Sequence, residues 1–438
     1  MVVLVNSPIY KDNNTEDTNE YLPPLGLGYI ASNLKENGIE VMVLDAVQKG
    51  MNLDEICCEL HKIKPEVIGI NIFSINIDIV RSMVESYQND CRFIVGGQCA
   101  KHIYKDIIAW NTKNEIVVVI GEGDYITSDI TLNAVNETPM LCIENRKVYK
   151  VDTSSKYYPK DLENNHLNRN LLNETDIINH FGLKEKAIIT SRGCFYNCAF
   201  CGAAKSLNTE SNIRMLTPQA ILEQINEIFS MDPSIECIRI LDDLFLRNKI
   251  KINEAIKIFN EICLKWRAMA HIKSFVNTDD DSLVNLKQSG CLELFIGIES
   301  GSDKIRKLLK KNGSAEEVKK IIYRLLKAGI NVKGYFIYGF PTETKEDMEE
   351  SYLLASSLKE SSKFLKGDFR TSIFQYKPYH GTELYNKFVD GVYDDLIFQE
   401  NEILTGMTQK SQFNGYYKNF SECADDILYN YIYKTNNL

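Results

Sequence analysis

The sequence predicts an α/β protein in which a doubly wound parallel sheet is followed by a partial, open-sided barrel and a helical C-terminal cap. Two observations lead to this fold class. Short apolar segments alternate with amphipathic helical segments in two separate series, which is typical of parallel sheets covered by helices. The chain of 438 residues is also long enough for two domains and a small third one.

The first series, residues 1–148, predicts a Rossmann-like domain. Glycines close several of its segments, as expected at the turns that join strands and helices. The predicted strands are Val2–Asn6, Val41–Leu44, Val67–Ile72, Arg92–Val95 and Val117–Ile120, and the predicted helices are Leu25–Asn37, Leu53–Ile63 and Asp78–Gln88. Residues 149–183 lack sustained periodicity, and we interpret them as a linker that packs over the second domain.

The second series, residues 184–389, predicts about six βα units, which is short of the eight in a closed TIM barrel. We therefore expect a TIM-like partial (β/α)6 barrel. Its predicted strands are Ala187–Thr190, Cys237–Leu241, His271–Val276, Leu294–Ile298, Asn331–Tyr338 and Thr371–Tyr376, and its predicted helices include Pro218–Ser230, Lys251–Trp266, Asp281–Ser289, Ala315–Ala328 and Lys345–Leu358. Residues 390–438 predict a helical, Tyr-rich C-terminal extension.

The composition is that of an ordinary globular protein, with 44% hydrophobic and 25% charged residues. The net charge of -10 argues against broad binding to nucleic acid or to anionic membranes. No segment approaches the roughly 20 apolar residues of a membrane span, and the first residues lack a signal-peptide pattern. We expect a soluble, cytoplasmic protein with no nucleic-acid or membrane partner, in which the 12 cysteines are reduced.

Three cysteines cluster in one loop, residues 191–202, directly after the first predicted barrel strand. Cys194, Cys198 and Cys201 would lie at the carboxyl ends of the strands, where barrel active sites form. Thiolates are the soft ligands that iron–sulfur clusters need. Structural zinc, the main alternative, uses four protein ligands, and the closest histidine, His180, lies upstream of the strand. The pattern favours a 4Fe–4S cluster with one open iron.

The pattern Cys194-x-x-x-Cys198-x-Phe200-Cys201 resembles the signature of the radical S-adenosylmethionine (SAM) superfamily, and the partial barrel resembles the fold of its members. The resemblance implies that the open iron chelates SAM. It also implies reductive cleavage of SAM, with a 5′-deoxyadenosyl radical that abstracts hydrogen from the substrate, because the cofactor carries the hard chemistry in such enzymes. An electron donor such as flavodoxin or ferredoxin would be the protein partner.

Further segments extend the resemblance across the barrel. Residues 294–302 are similar to the fourth-strand segment of the family, residues 334–344 to its fifth-strand segment and residues 374–382 to its sixth-strand ending. The resemblance implies that SAM is contacted by Phe200, Asp242, Glu299, Ser300, Ile337 and Tyr338. Helix capping is the alternative role for Asp242 and Asp243, and capping or ion pairing is the alternative for Glu299. Phe275 takes the place of a third-strand arginine of the family, so the partner of the SAM carboxylate is left open between Lys273 and Arg324.

Residues 23–31 and 41–46 resemble the opening of the cobalamin-binding domain that is fused to many radical SAM enzymes. The resemblance implies cobalamin contacts by Asp45, Ser74, Gly96, Gly97, Gly121 and Glu122. Glycines after strands would let the backbone approach a flat macrocycle, although tight turns alone would also explain them. The Asp-x-His-x-x-Gly signature, whose histidine ligates cobalt, is absent because Ala46-Val47-Gln48 follows Asp45. The lower face of a bound cobalamin should therefore lack a histidine from this domain.

The leading functional hypothesis is cobalamin-dependent methyl transfer to an unactivated carbon of a small molecule or peptide. The alternative is a radical SAM cyclase, rearrangement enzyme or epimerase that does not use cobalamin. A methylthio-transferring enzyme fits less well, since a second cysteine cluster and a C-terminal β-barrel are not predicted. A non-enzymatic sensor that binds SAM without cleaving it is the remaining hypothesis. The sequence does not single out an acid, a base or a hydrogen donor.

Overall fold

The computed structural model describes residues 1–8, 21–172, 174–388 and 418–438. Two seven-stranded sheets dominate these residues, and a two-stranded hairpin is inserted between the second and third strands of the second sheet in chain order. The first sheet is doubly wound and the second is curled into a partial barrel. The predicted fold class is therefore confirmed.

The first sheet has the strand order β2-β1-β3-β4-β5-β7-β6, and all neighbours are parallel except the edge pair β6 and β7. Helices α1 and α5 cover one face, and α2, α3 and α4 cover the other. The elements are β1 (Val2–Asn6), α1 (Leu25–Glu36), β2 (Val41–Asp45), α2 (Leu53–Ile63), β3 (Val67–Asn71), α3 (Ile77–Ser86), β4 (Arg92–Gly96), α4 (Ala100–Ile108), β5 (Glu115–Gly121), α5 (Ile126–Thr131), β6 (Leu141–Ile143) and β7 (Arg146–Val151).

The second sheet has the order β16-β15-β14-β13-β12-β9-β8, with six parallel strands and an antiparallel edge strand, β8. Its strands are β8 (Ile177–Ile178), β9 (Lys184–Ile188), β12 (Cys237–Ile240), β13 (Lys265–Ala270), β14 (Cys291–Glu299), β15 (Asn331–Tyr338) and β16 (Phe369–Gln375); β10 (Ser191–Arg192) and β11 (Arg214–Met215) form the hairpin. Its helices are α6 (Pro218–Met231), α7 (Lys249–Asn260), α8 (Asp280–Gln288), α9 (Asp303–Leu308), α10 (Ala315–Ala328), α11 (Lys345–Ser362), α12 (Glu383–Phe388) and α13 (Asp425–Asn436).

The alternation of side chains along each strand decides which residues face the concave side of the curled sheet. Ile238, Ile240, Leu294 and Ile296 point outward into the core beneath the helices, so the residues between them face the concave side. Because the strands are parallel, all six end at the same rim. This rim carries the loops that form the candidate site.

The third barrel strand was placed wrongly by the sequence prediction. The strand is β13, Lys265–Ala270, whereas His271–Val276 was predicted, and the preceding helix ends at Asn260 and not at Trp266. Residues Ile272–Ser274 form a short 3-10 turn. The physical reason is a change of period at Lys265, where Trp266 and its alternate neighbours turn to the outer core.

The segment predicted as a linker contributes to both domains. Its start belongs to β7, which ends at Val151, and its end contains β8 of the second sheet. Tyr157, Tyr158 and Leu172 in between pack into the core of the first domain. The proposed domain boundaries stay a prediction.

The described part of the C-terminal extension is helical, as predicted. Helix α13 packs on the barrel, where Tyr431 lies against Tyr338 with ring centroids 6.3 Å apart. Tyr416 and Tyr417, two of the tyrosines in this extension, lie outside the described residues. Among the helices that the structure describes, no span is long and apolar enough to cross a membrane.

Candidate active site

The three clustered cysteines lie in the loop between β10 and β11, and this loop is fastened on three sides. The Gly193 N–H donates to Asp243 Oδ2 at 3.1 Å, with Gly193 at a φ of +95° that favours glycine. The Ala199 N–H donates to the Leu309 carbonyl, and the Leu384 N–H donates to the Ala199 carbonyl, both at 2.9 Å. The loop is thereby held between the end of β12, the end of α9 and α12.

All three thiols are partly buried. Burial raises the pKa of Cys194, Cys198 and Cys201, and it raises that of Cys201 to about 12. In the described ranges, no three His, Cys, Asp or Glu side chains are gathered closely enough to share one metal ion. The free thiols are consequently protonated at neutral pH, and a bound metal centre would have to displace their protons.

Glu299 occupies the end of β14 in a strained conformation beside the cysteines. Its φ is +67°, which is rare outside glycine and concentrates at functional sites. Lys311 Nζ donates to Glu299 Oε1 at 2.9 Å, and both side chains are 8% exposed. A Cβ on Gly297 would collide with both groups, so glycine makes room for this pair.

Lys311 is a residue that the sequence prediction missed. Burial lowers its pKa, but Glu299 and Cys198 outweigh this effect, so its pKa stays above the usual value and it is a cation beside the cysteine loop. The two predicted carboxylate partners lie elsewhere: Lys273 pairs with Glu317 at 2.8 Å, and Arg324 pairs with an exposed aspartate of α8. Lys311 sits in a Lys-rich loop after α9, and no sequence signal separates it from Lys310.

The two aspartates after β12 have different roles. Asp242 is 2% exposed and accepts four hydrogen bonds of 2.6–3.0 Å from the N–H and hydroxyl groups of Thr190 and Ser191. Its carboxylate therefore ties the end of the first barrel strand to the second, and it caps no helix. Asp243 is exposed, and its Oδ2 accepts the Gly193 N–H of the cysteine loop.

The remaining predicted SAM residues divide by orientation. Phe200 and Ile337 lie on the cysteine side of the barrel rim, where Phe200 packs on Phe340 with centroids 5.8 Å apart. Ser300 is fully buried and bonds to Ser351 of α11 at 3.0 Å. The Tyr338 hydroxyl lies 2.9 Å from a threonine of α13. The side chains of Ser300 and Tyr338 are thus bonded to α11 and α13.

His271 stands at the end of the third strand, where Phe275 was predicted. Its ring stacks on Tyr196 of the cysteine loop with centroids 4.3 Å apart. Nδ1 accepts the Lys273 N–H at 3.1 Å, and burial lowers the pKa of His271 to about 2, so the neutral ring carries its proton on Nε2. That Nε2 is buried with no partner in the part of the chain that the structure describes. Phe275 instead packs into the outer core.

A cavity of about 670 Å³ lies at the carboxyl edge of the first sheet. It extends from this rim over the sheet face, which Leu4 and Gly69 line, and under α1, which contributes Leu27 and Ile30. Its lining is mainly apolar. Gly202, which follows the third clustered cysteine, and His380 line it from the barrel side.

Four of the six predicted cobalamin residues line this cavity, namely Ser74, Gly96, Gly97 and Gly121. Gly97 and Gly121 have φ values of +110° and +96°, and a Cβ would collide with nearby backbone, so the turns alone require glycine there. Gly96 is different, because a Cβ there would meet no protein atom closer than 3.6 Å. The protein itself therefore does not require glycine at position 96, and the space that this glycine leaves fits a bound cofactor.

Asp45 and Glu122 are not brought to the cavity. Asp45 is buried and accepts hydrogen bonds from Asn6 Nδ2 at 2.9 Å and from the Tyr21 hydroxyl. Glu122 pairs with Arg192 and Arg214, which flank the cysteine loop. Both carboxylates are thus held by other parts of the protein.

The sequence prediction also missed a polar contact between the domains beside the cavity. The Ser74 hydroxyl lies 3.0 Å from both the backbone N and Nδ1 of His380, and Cys99 Sγ lies 3.5 Å from the same ring nitrogen. His102 lines the cavity nearby. These residues come from the two domains, and no local motif announces such a pairing.

Two family models match the chain. The Radical SAM superfamily model matches residues 188–355, and the B12 binding domain model matches residues 15–131. An uncharacterized methyltransferase of Pyrococcus horikoshii is 26% identical over 368 residues, which are 77% of this chain and 73% of the relative. The cytidylyl-2-hydroxyethylphosphonate methyltransferase of Streptomyces wedmorensis is 24% identical over 425 residues, 82% of this chain and 77% of the relative.

Solved structures with the same architecture include two cobalamin enzymes. The radical SAM methyltransferase TsrM from Kitasatospora setae, solved with cobalamin and a 4Fe–4S cluster, superposes with a TM-score of 0.60 at 14% identity over 89% of this chain and 77% of that chain. The cobalamin-dependent SAM radical enzyme OxsB superposes with a TM-score of 0.64 at 16% identity over 96% of this chain. This chain covers 64% of OxsB. At these identities the likeness concerns the fold.

One family model falls on the barrel with the cysteine loop, and the other falls on the sheet with the cavity. The residues present fit the groups that both families carry. Three thiols lie in a loop that is held by hydrogen bonds, and an apolar cavity has at its rim Gly96, a glycine that the backbone does not require. The chain therefore carries a radical SAM domain and, before it, a B12-binding domain, and it is an enzyme whose cofactors are a 4Fe–4S cluster, SAM and cobalamin.

Proposed function

We propose that the protein transfers a methyl group to an unactivated carbon of a small molecule or peptide, with cobalamin and a SAM-derived radical acting at one place. The observation that carries this proposal is the shared cavity. Gly97 and Gln98 border it from the first domain, and Gly202, the residue after Cys201, borders it from the barrel. A Cβ on Gly202 would lie 2.8 Å from the Gln98 side chain, so the two domains meet closely where both cofactors would sit.

In this proposal, Cys194, Cys198 and Cys201 hold the cluster and leave one iron for SAM. Lys311 would bind the carboxylate of SAM, since a buried cation beside Cys198 suits an anionic group near the cluster. Asp243 would accept hydrogen bonds from its amino group. When bound, the cofactors supply a 5′-deoxyadenosyl radical and a transferable methyl group.

The protein's own contribution is placement and exclusion of water. The loop fastenings at Gly193 and Ala199 fix the cysteines before any cofactor binds, which reduces reorganisation during the reaction. The apolar cavity lining keeps water from the radical. The methyltransferase names of the two relatives support the reaction class, and electrons would come from a flavodoxin or ferredoxin.

The test is anaerobic reconstitution with iron, sulfide and cobalamin, reduction of the cluster with dithionite, and incubation with SAM that carries a deuterated methyl group. We expect cobalamin to be retained and SAM to be cleaved to 5′-deoxyadenosine. With candidate substrates we expect products heavier by one deuterated methyl group. Cys198→Ala should abolish cluster formation and SAM cleavage, whereas Cys237→Ala, a buried cysteine of β12, should retain both.

The outcomes separate the competing functions. SAM cleavage without retained cobalamin or methylated product would contradict methyl transfer and favour a cyclase, rearrangement enzyme or epimerase. Binding of SAM without cleavage, in protein with an intact reduced cluster, would contradict radical chemistry altogether.

A further inference from the structure

The concave face of the barrel carries an aromatic floor with two guanidinium groups against it, those of Arg239 and Arg267. Arg239 of β12 alternates with Ile238, which lies in the outer core, so Arg239 points into the barrel. Its guanidinium carbon lies 4.9 Å from the ring centre of Phe295. Phe295 stacks on Tyr335, and Tyr335 meets Phe374 edge-on at 5.7 Å. Three strands thus supply aromatic rings, and two further strands supply guanidinium groups, with the Arg267 guanidinium carbon 4.8 Å from the ring centre of Phe295.

Arg239 is a buried cation that no described group of the protein neutralises. It is 7% exposed, its Nε is buried without a partner, and within residues 1–8, 21–172, 174–388 and 418–438 it forms no hydrogen bond or ion pair. The next arginine in the barrel contrasts with it. Arg267 bonds to Glu185 at 2.9 Å and to Glu293 at 2.8 Å.

An unpaired buried charge is costly, because burial removes its hydration and nothing replaces it. The stacking on Phe295 compensates only part of that loss. The natural explanation for Arg239 is an anionic partner that arrives from solution. Bidentate guanidinium geometry suits carboxylate and phosphate groups in particular.

The position of Arg239 distinguishes the substrate from SAM as that partner. Arg239 lies within β12, three residues before Asp242 at the rim, and therefore on the order of 10 Å deeper along the strand. The cysteine loop and Lys311 lie at the rim, and in the proposed function Lys311 already binds the carboxylate of SAM there. The aromatic floor below the rim is the natural place for the molecule that SAM acts on.

We propose that Arg239 binds a carboxylate or phosphate group of the substrate, whose apolar part rests on the partly exposed rings of Tyr335 and Phe374. This inference rests on the proposed function and deepens it, since it assigns an anionic class to the substrate. Arg239 acts as an anchor and takes no part in bond breaking.

The test is calorimetric titration of the reconstituted enzyme, with its cluster and SAM bound, using phenylacetate, phenyl phosphate and the neutral control phenylacetamide. We expect at least one of the two anions to bind about tenfold or more tightly than the amide, the span of one charge-assisted hydrogen bond. Arg239→Met should remove that preference, while Arg81→Met on the exposed face of α3 should retain it. Equal binding to the parent and Arg239→Met, or binding of neither anion to the parent, would overturn the proposal.

Two further measurements test whether Arg239 is instead a structural residue or a SAM-binding residue. Without ligand, Arg239→Met should unfold at a urea concentration no lower than the parent, because it removes an uncompensated charge; a lower midpoint would make Arg239 structural and overturn the proposal. SAM affinity should not change in Arg239→Met, and its loss would assign the guanidinium to SAM and likewise overturn it. Cleavage of SAM by the parent is assayed separately, so a failure of the proposed function is recognised independently of anion binding.

Discussion

The buried ionic cluster at the base of the barrel allows a quantitative prediction. Arg267 of β13 is 1% exposed and lies between Glu185 of β9 and Glu293 of β14, with N–O distances of 2.8–3.1 Å. Arg370 of β16 also bonds to Glu293, at 2.6 and 2.9 Å. Four of the six parallel strands therefore meet in one network. Arg267→Met keeps much of the volume but removes the central charge.

The magnitude follows from what the substitution leaves behind. Glu293 keeps Arg370, but Glu185 keeps only one described hydrogen bond, from Asn179 Nδ2 at 3.1 Å. Removing one partner of a buried ion pair costs about 3–5 kcal/mol, because the other charge stays buried and uncompensated. We expect Arg267→Met to lose about 4 kcal/mol of unfolding free energy. Arg81→Met breaks an exposed helix pair with Glu85 and should lose about 0.5 kcal/mol or less.

The assay is urea unfolding followed by tryptophan fluorescence. The chain has two tryptophans, and a Trp110→Phe background leaves Trp266, next to Arg267, as the reporter of the barrel. With a slope of about 2–3 kcal/mol per molar, the midpoint should fall by about 1–2 M. A fall no larger than that of Arg81→Met would refute the reasoning that the cluster is a closed charge network.

The pH dependence gives a second check on the same network. Burial alone would raise the pKa of Glu293, but Arg370 and Arg267 outweigh it and hold the pKa below its usual value. A lowered folded pKa means that the stabilisation is present above the unfolded pKa of about 4.3 and is lost as the pH falls through the folded value. The parent should therefore lose stability on acidification more steeply than Arg267→Met.

Three further predictions concern the site and the barrel rim. Lys311→Met should weaken SAM binding by about tenfold or more, since a charge-assisted hydrogen bond is lost. Lys310→Met, at its exposed neighbour, should leave SAM binding unchanged. Equal effects of the two substitutions in equilibrium dialysis would contradict the assignment of Lys311 to the carboxylate of SAM. Gly96→Val should reduce cobalamin retention by about tenfold with an unchanged circular dichroism spectrum, because its side chain would fill the cavity; full retention would exclude this rim as the cofactor site. Burial raises the pKa of Glu343 to about 8. Its contribution to stability is therefore present below the unfolded pKa and is lost as the pH rises through about 8. In urea titrations between pH 5 and pH 8, the unfolding free energy of Glu343→Gln should increase relative to that of the parent.

The order of strands and helices was predictable because most strands combine an apolar run with a turn signal at their ends. Val67–Ile72 and Asn331–Tyr338 were found within one residue of their predicted bounds. The third barrel strand was missed because the helical pattern of α7 runs on through Ile262 and Leu264 before the period changes. Its correct placement moves His271, and not Phe275, to the rim.

The site was predictable where chemistry resides in a local motif and unpredictable where it depends on tertiary contacts. Cys194, Cys198 and Cys201 needed only their spacing. Lys311 lies in a loop of similar lysines, and its role arises from burial beside Glu299. A signal for the barrel network did exist, because Arg267 and Glu293 are charged residues that interrupt apolar strands, and such residues are paired when buried.

Glu122 illustrates how a residue that follows a predicted site glycine can have partners outside that site. It follows Gly121 at the end of β5, which placed it beside the cofactor in the sequence prediction. In the structure its carboxylate joins Arg192 and Arg214, and Arg192 also bonds to Asp124 at 2.8 Å. Arg192 lies two residues before Cys194, so this buried charge network fastens the rim of the first sheet to the start of the cysteine loop. Ion pairs between folded elements thus fix the cysteine loop relative to the cavity edge of the first sheet, which a flexible linker alone could not do.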